Sequence, residues 1–202
     1  MIDIGVNRAL DKPENFKQGF WGSRTLNLYY QYPIRMGRSK FSFNPGVGAG
    51  MERWKFTNKY VLADTIENSI DEYVLVQGST FYSGIKKSML IANYVEVPLE
   101  FRFDTTPEDI ARSFNVAIGG RIGYLFDSKM KVKYKQDGET RIEKSKQNLG
   151  LTQFRYGVYT RIGVGGFNFF GFYNLSPLFE KDKGPDKTTM TSFTVGISIN
   201  GF

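Results

Sequence analysis

Apolar and polar residues alternate with a period of two along most of this chain, and the alternation falls into eight segments. Residues 2–9 set Ile2, Ile4 and Val6 against Asp3, Gly5 and Asn7. Residues 24–32 set Leu26, Leu28, Tyr30 and Tyr32 against Thr25, Asn27, Tyr29 and Gln31. Residues 41–53 set Phe41, Phe43, Val47, Ala49 and Met51 against Ser42, Asn44, Gly46, Gly48, Gly50 and Glu52. The clearest segment, 89–103, carries Met89, Ile91, Val95, Val97, Leu99, Phe101 and Phe103 on one face, with Ala92, Tyr94, Glu96, Pro98, Glu100 and Arg102 on the other. Residues 114–126, 154–164, 167–175 and 192–200 continue the pattern. Their lengths match or exceed the roughly 9–11 residues that a tilted strand needs to cross a membrane.

The connections support the same architecture. Short links lie at 35–38, 104–113 and 165–166, and long ones at 11–23, 54–88, 127–148 and 176–191. Long and short alternate strictly, as in an up-and-down barrel of an outer membrane with short periplasmic turns and long outer loops. The expected fold is therefore all-β: one domain over 1–202, an eight-stranded antiparallel transmembrane barrel with both termini periplasmic. The link Gly165-Gly166 predicts a two-residue hairpin of the primed type. Its register pairs Val164 with Phe167, Ile162 with Phe169, Arg161 with Phe170 and Tyr159 with Phe172.

Charge separates the two faces. Asp3, Glu52, Glu96, Glu100, Arg24, Arg102, Arg121, Arg155 and Arg161 are assigned to the faces opposite the apolar rows, where many glycines also stand. A basic side chain facing mid-bilayer hydrocarbon costs roughly 2–4 kcal/mol, so these faces are expected to point inward. Eight strands enclose a lumen just wide enough for side chains to fill it. Glu52, Glu96, Glu100, Arg102, Arg121, Arg155 and Arg161 form the expected lumen ion-pair network. A soluble lipocalin-like ligand carrier would have the opposite polarity.

Composition adds exclusions. The chain has no His and no Cys, which removes Ser-His catalysis, a His general base, thiolate chemistry and His or Cys metal sites. No catalytic residue, cofactor or metal site is expected. The formal net charge is +7. Lysines gather at 86–87, 129–135, 144–146 and 181–187, which this alternation places in loops. Lys86, Lys87, Lys129, Lys131 and Lys133 are positioned to meet lipopolysaccharide phosphates at the outer leaflet. Outer-membrane lipid and other outer-membrane proteins are the remaining expected partners, and no nucleic acid is. The opening residues lack the basic and long apolar regions of a secretory signal, so a mature or trimmed start is expected.

Four stretches resemble the PorT-like outer-membrane β-barrel family of Bacteroidota. They are Phe43-Asn44-Pro45-Gly46-Val47-Gly48, Val95-Glu96-Val97-Pro98-Leu99-Glu100-Phe101, Ile118-Gly119-Gly120-Arg121-Ile122-Gly123-Tyr124 and Tyr173-Asn174-Leu175-Ser176-Pro177-Leu178-Phe179. The resemblance implies an eight-stranded outer-membrane barrel and no shared enzymatic activity. Phe202 resembles the C-terminal aromatic that barrel-assembly machinery reads, although it is out of phase with Phe193, Val195, Ile197 and Ile199. Asp64-Thr65-Ile66 resembles the short O-glycosylation sequence of the same bacteria.

Function is thus expected at the loops. The chain reads as a non-enzymatic anchor, assembly subunit or surface-interaction module, with a narrow pore and a soluble carrier as alternatives. Trp54, Phe56, Tyr60, Tyr73, Lys86 and Lys87, in or beside the 54–88 connection, are the expected contact surface.

Overall fold

A computed structural model describes residues 1–67, 70–146 and 149–200, and the side chains of 64–67 and 70–72 are left undescribed. The expectation for Phe202 falls outside the described residues, and that for Asp64-Thr65-Ile66 falls on side chains outside this description.

The strands are β1 (Ile2–Leu10), β2 (Arg24–Gln31), β3 (Ile34–Arg35), β4 (Phe41–Phe56), β5 (Tyr60–Glu67), β6 (Ile70–Gln77), β7 (Ile85–Asp104), β8 (Phe114–Gln136), β9 (Glu139–Lys146), β10 (Phe154–Val164), β11 (Phe167–Asn174) and β12 (Thr191–Ile199). Eight of them close into a ring in the order β1-β2-β4-β7-β8-β10-β11-β12, with β12 returning to β1, and every neighbouring pair is antiparallel. Closure removes the unpaired edges of an open sheet. The β10–β11 hairpin has the expected register: Val164 faces Phe167, Ile162 faces Phe169, Arg161 faces Phe170 and Tyr159 faces Phe172. Gly165 takes φ 58°, which a residue with a Cβ rarely adopts, and this conformation lets two residues reverse the chain.

The barrel has two storeys of opposite polarity. In the lower storey, toward the short turns, the outer face is apolar: Leu26, Leu28, Val47, Val95, Val97, Leu99, Phe101, Ile118, Ile122, Val158, Ile162, Phe169 and Val195 are all exposed. Such a continuous band far exceeds the apolar patches of soluble monomers. Charged and polar side chains fill the interior. This polarity rules out the lipocalin-like carrier.

In the upper storey the alternation continues but its sense reverses. On β4, Glu52, Trp54 and Phe56 share the inward parity, while Arg53 and Lys55 point out. Leu90 of β7 and Met130 and Val132 of β8 also point inward and are buried. They form one apolar cluster with Phe16, Leu149, Leu151, Phe179 and Met190 from the long connections. Phe16 meets Phe56 edge-on at 5.0 Å between ring centroids.

Two corrections to the sequence analysis follow. The 54–88 connection is not all loop, because β4 runs on to Phe56, β5 and β6 form a hairpin, and β7 begins at Ile85. Likewise Lys129, Lys131, Lys133, Lys144 and Lys146 sit on strands β8 and β9, and Lys86 and Lys87 on β7. The β8–β9 reversal is Asp137-Gly138, with φ of 52° and 82°, a turn that Asp-Gly favours.

A β-bulge explains why the regular pattern on β8 stops at Phe126. Asn93 pairs with Asp127 and Tyr94 with Leu125, so Phe126 is one residue too many. The insertion switches the inward parity from odd positions (Ala117, Arg121) to even ones (Ser128, Met130, Val132).

Candidate functional site: the filled lumen and the long-loop surface

The inward positions of the lower storey bring together charged residues from strands far apart in sequence. Arg155 of β10 donates to Glu96 Oε1 of β7 from Nε at 2.9 Å and from Nη2 at 2.5 Å. Its Nη1 stands 2.6 Å from Glu52 Oε1 of β4. On the other side of Glu96, Arg121 Nη1 lies 3.5 Å from Oε2 and donates to the Tyr29 hydroxyl at 2.6 Å. That hydroxyl donates in turn to Glu96. One layer lower, Arg161 joins Asp3, at 2.9 Å, to Glu100, and Asn44 donates to Glu100 at 3.2 Å.

Three guanidinium groups therefore meet four carboxylates, all buried. Each guanidinium also lies against an aromatic ring: Arg121 over Phe172 at 3.3 Å, Arg155 over Tyr94 at 3.6 Å and Arg161 over Tyr159 at 4.3 Å. Small residues make the space. A Cβ on Gly50 would lie 2.7 Å from Glu96 Oε2 and 2.8 Å from Arg155 Nη2. Burying unpaired charge costs far more than burying a paired and hydrogen-bonded one, which is why the set occurs as a connected network.

Five of the expected network residues other than Arg102 carry the central layers together with Glu100: Glu52, Glu96, Arg121, Arg155 and Arg161. Arg102 stands apart, 3.1 Å from Asp104 near the short turns. Asp3 and Tyr29 complete the network. Arg24 is a correction: it shares the parity of Leu26 and Leu28 and is exposed on the outer wall.

The lumen is interrupted along its axis. A cavity of about 580 Å³ opens at the short-turn end, lined by Gln31, Asn44, Glu100, Arg102 and Asp104 among others. It ends at the Glu100–Arg161 layer. Beside Glu52, Tyr94 and Arg155 there is a void of only about 10 Å³, which is about the space of one water. Above it the apolar cluster closes the barrel.

Residues 3–180 match the outer membrane protein beta-barrel domain family. The chain belongs to that family. As an outer membrane β-barrel, it sets its apolar band against lipid, and among the described residues no helix is long and apolar enough to cross a membrane. Among solved structures, the attachment invasion locus protein Ail of Yersinia pestis, in complex with the heparin analogue sucrose octasulfate, is similar at 13% identity and a TM-score of 0.35, over 98% of this chain and 94% of that one. A comparison with curated proteins finds no match.

The outer membrane barrel presents a different long-loop surface from the one its sequence suggests. Trp54, Phe56 and Tyr73 are buried in the apolar cluster, so they cannot form a contact surface, and Tyr60 is half-buried. Their inward parity, or the cover given by the long connections, takes them out of solvent. Lys86 is exposed and Lys87 half-buried. The exposed aromatic pair at this end is Phe20–Trp21, edge-on at 5.0 Å, with Trp21 80% exposed and the Arg8 guanidinium 4.5 Å from the Phe20 ring centre. Phe81 and Ile142 are exposed as well. The sequence signal for Phe20–Trp21 was its place outside any alternating segment, in a long connection.

Proposed function

We propose that this outer membrane barrel conducts nothing and acts through its long-loop end as an anchor, assembly subunit or surface-interaction module without enzymatic activity. The single observation that carries this reading is the blocked lumen: paired charges fill the lower storey and an apolar cluster fills the upper one. An ion path would need the buried pairs to part, and breaking a buried pair costs about 3–5 kcal/mol. In this reading the long-loop end faces the cell exterior and the termini face the periplasm. The PorT-like stretches fit it too, since Glu96 and Glu100 of Val95-Glu96-Val97-Pro98-Leu99-Glu100-Phe101 are lumen carboxylates. Phe20, Trp21, Phe81, Ile142 and Lys86, all exposed, form the contact surface for another outer membrane protein.

Site-specific photocrosslinking in native membranes tests the proposal. Probes at Trp21 and Ile142 are expected to give discrete protein adducts, and a probe at Ser39 in a short turn is not. Adducts at Ser39 alone would move the working surface to the opposite end.

A further inference from the structure

The outer wall changes abruptly from apolar to basic at one height and on one side of the barrel. On β4 the outward residues run Phe41, Phe43, Val47, Ala49, Met51 and then Arg53 and Lys55. The ten-residue step from Phe41 to Met51 spans about 25 Å along the barrel axis, from a rise of roughly 3.3 Å per residue and a tilt of about 40°. That is the height of the lipid-facing band of such barrels, about 25 Å. Arg53 and Lys55 therefore stand where lipid headgroups begin.

The neighbouring strands add to the same patch. Arg24 on β2 pairs with Arg53, Lys55 pairs with Met89, and Met89 pairs with Lys131. Lys87 lies one step higher on β7. Partial burial, together with the charges of Lys55, Lys131, Arg24 and Arg53, pushes the Lys87 ammonium below its ordinary value. Among the described residues, none of these five cations has a carboxylate within salt-bridge distance. Other strand cations are paired where they face the lumen or Asp127: the three lumen arginines with their carboxylates, Arg102 with Asp104, and Lys129 and Lys146 with Asp127. Five uncompensated cations crowded on one wall destabilise the bare fold and favour an anionic ligand. Their continuity with the apolar face directly below selects a ligand that has both parts.

We propose that Arg24, Arg53, Lys55, Lys87 and Lys131 form a docking surface for a phosphorylated lipid of the outer leaflet, its phosphates on the cations and its acyl chains on the apolar wall beneath. This rests on the outward orientation of the long-loop end given above. Bidentate guanidinium–phosphate contacts suit Arg24 and Arg53, and the lysines act as point charges.

The test uses the full chain refolded in detergent, with native mass spectrometry reading retained lipid. Wild type is expected to retain diphosphoryl lipid A well above phosphatidylcholine, and about 0.5 M salt is expected to weaken retention. R53E/K55E/K131E should retain at least about tenfold less. The neutral variant R53Q/K55Q/K131Q should fall in the same direction if charge reversal prevents folding. K40E/K181E, altered away from the patch, should behave as wild type. Equal retention by R53Q/K55Q/K131Q and wild type would overturn the proposal, as would binding of soluble polyphosphate with no preference for lipid A over phosphatidylcholine. Labelling W21C on intact cells with an impermeant maleimide separates the two readings. Labelled cells with no lipid A retention would sink this proposal alone, and absence of labelling unless cells are lysed would sink the orientation and this proposal with it.

Discussion

Arg155 and Glu96 are joined across the lumen through two nitrogens and one carboxylate oxygen, at 2.9 and 2.5 Å. Neither side chain reaches solvent, and the same guanidinium also serves Glu52. Removing it leaves two carboxylates buried without their shared partner. Arg155→Ala is therefore expected to destabilise the barrel by about 3–5 kcal/mol. A triple variant, E52Q/E96Q/R155M, removes the charges together and should recover much of that loss. Urea titrations of refolded protein in vesicles, followed by gel mobility of the folded form, give both numbers. A triple variant no more stable than Arg155→Ala would contradict the pairing.

The two tryptophans report on the reversed polarity of the upper storey. Trp54 is 0% exposed and Trp21 is 80% exposed. In W21F the remaining fluorescence should be blue-shifted and resist acrylamide. In W54F it should be red-shifted and readily quenched. Trp54→Ala should also cost about 3–5 kcal/mol of stability, as for other large buried aromatics. Ready quenching of Trp54 would return it to the surface.

Phe126 sets the parity of everything above it on β8. Deleting it would leave Leu125 beside Tyr94 and Asp127 beside Asn93, so Lys129, Lys131 and Lys133 would stay outward. Deleting the regularly paired Met130 would instead turn Lys131 and Lys133 inward, and inward lysines without partners are unsustainable in an apolar cluster. The Phe126 deletion should keep both the heat-dependent gel shift of the folded barrel and trypsin resistance within β8 and β9, whereas the Met130 deletion should lose that resistance. Loss of resistance in the Phe126 deletion would argue against the bulge.

Asp127 ties the base of the β8–β9 hairpin, accepting from Lys129 at 2.8 Å and Asn93 at 2.7 Å. The hydrogen bond from the Lys129 ammonium, with help from Asn93, holds its carboxyl below the usual carboxylate range. A depressed folded value means the contribution is full above the unfolded value, near 3.9, and disappears as pH falls through the folded one. Asp127→Asn should therefore raise hydrogen exchange in β9 about two- to fivefold at neutral pH, as expected for a partly buried pair at the sheet surface. The difference from wild type should shrink as pH falls below the unfolded value, and a difference that stays constant throughout the acid range would assign it to another cause.

The lower storey was legible because membrane and lumen impose opposite demands on alternate residues, so Val95 to Phe103 could be placed before any coordinates. The Arg161–Phe170 pairing followed from a two-residue turn alone. The upper storey was harder, because leaving the bilayer reverses which face is apolar without breaking the period. Trp54 and Phe56 look like loop aromatics unless the alternation is carried past Arg53. The Asp137-Gly138 turn marked a hairpin that the run of lysines around it obscured. Arg24 was misplaced where its parity with Leu26 already pointed outward. Which cation meets which carboxylate was not legible, since Arg161 reaches Asp3 only because the ring closes β12 onto β1.

The central claim is that the lumen is shut by paired charges below and an apolar cluster above. Planar-bilayer recording on the refolded wild-type protein tests it most directly, beside E52A/E96A/R155A, which empties the middle layer. Wild type is expected to give no discrete conductance steps across the full range of applied voltage. Regular single-channel steps from wild-type protein, abolished by no lumen substitution or enlarged only slightly by the triple one, would contradict it.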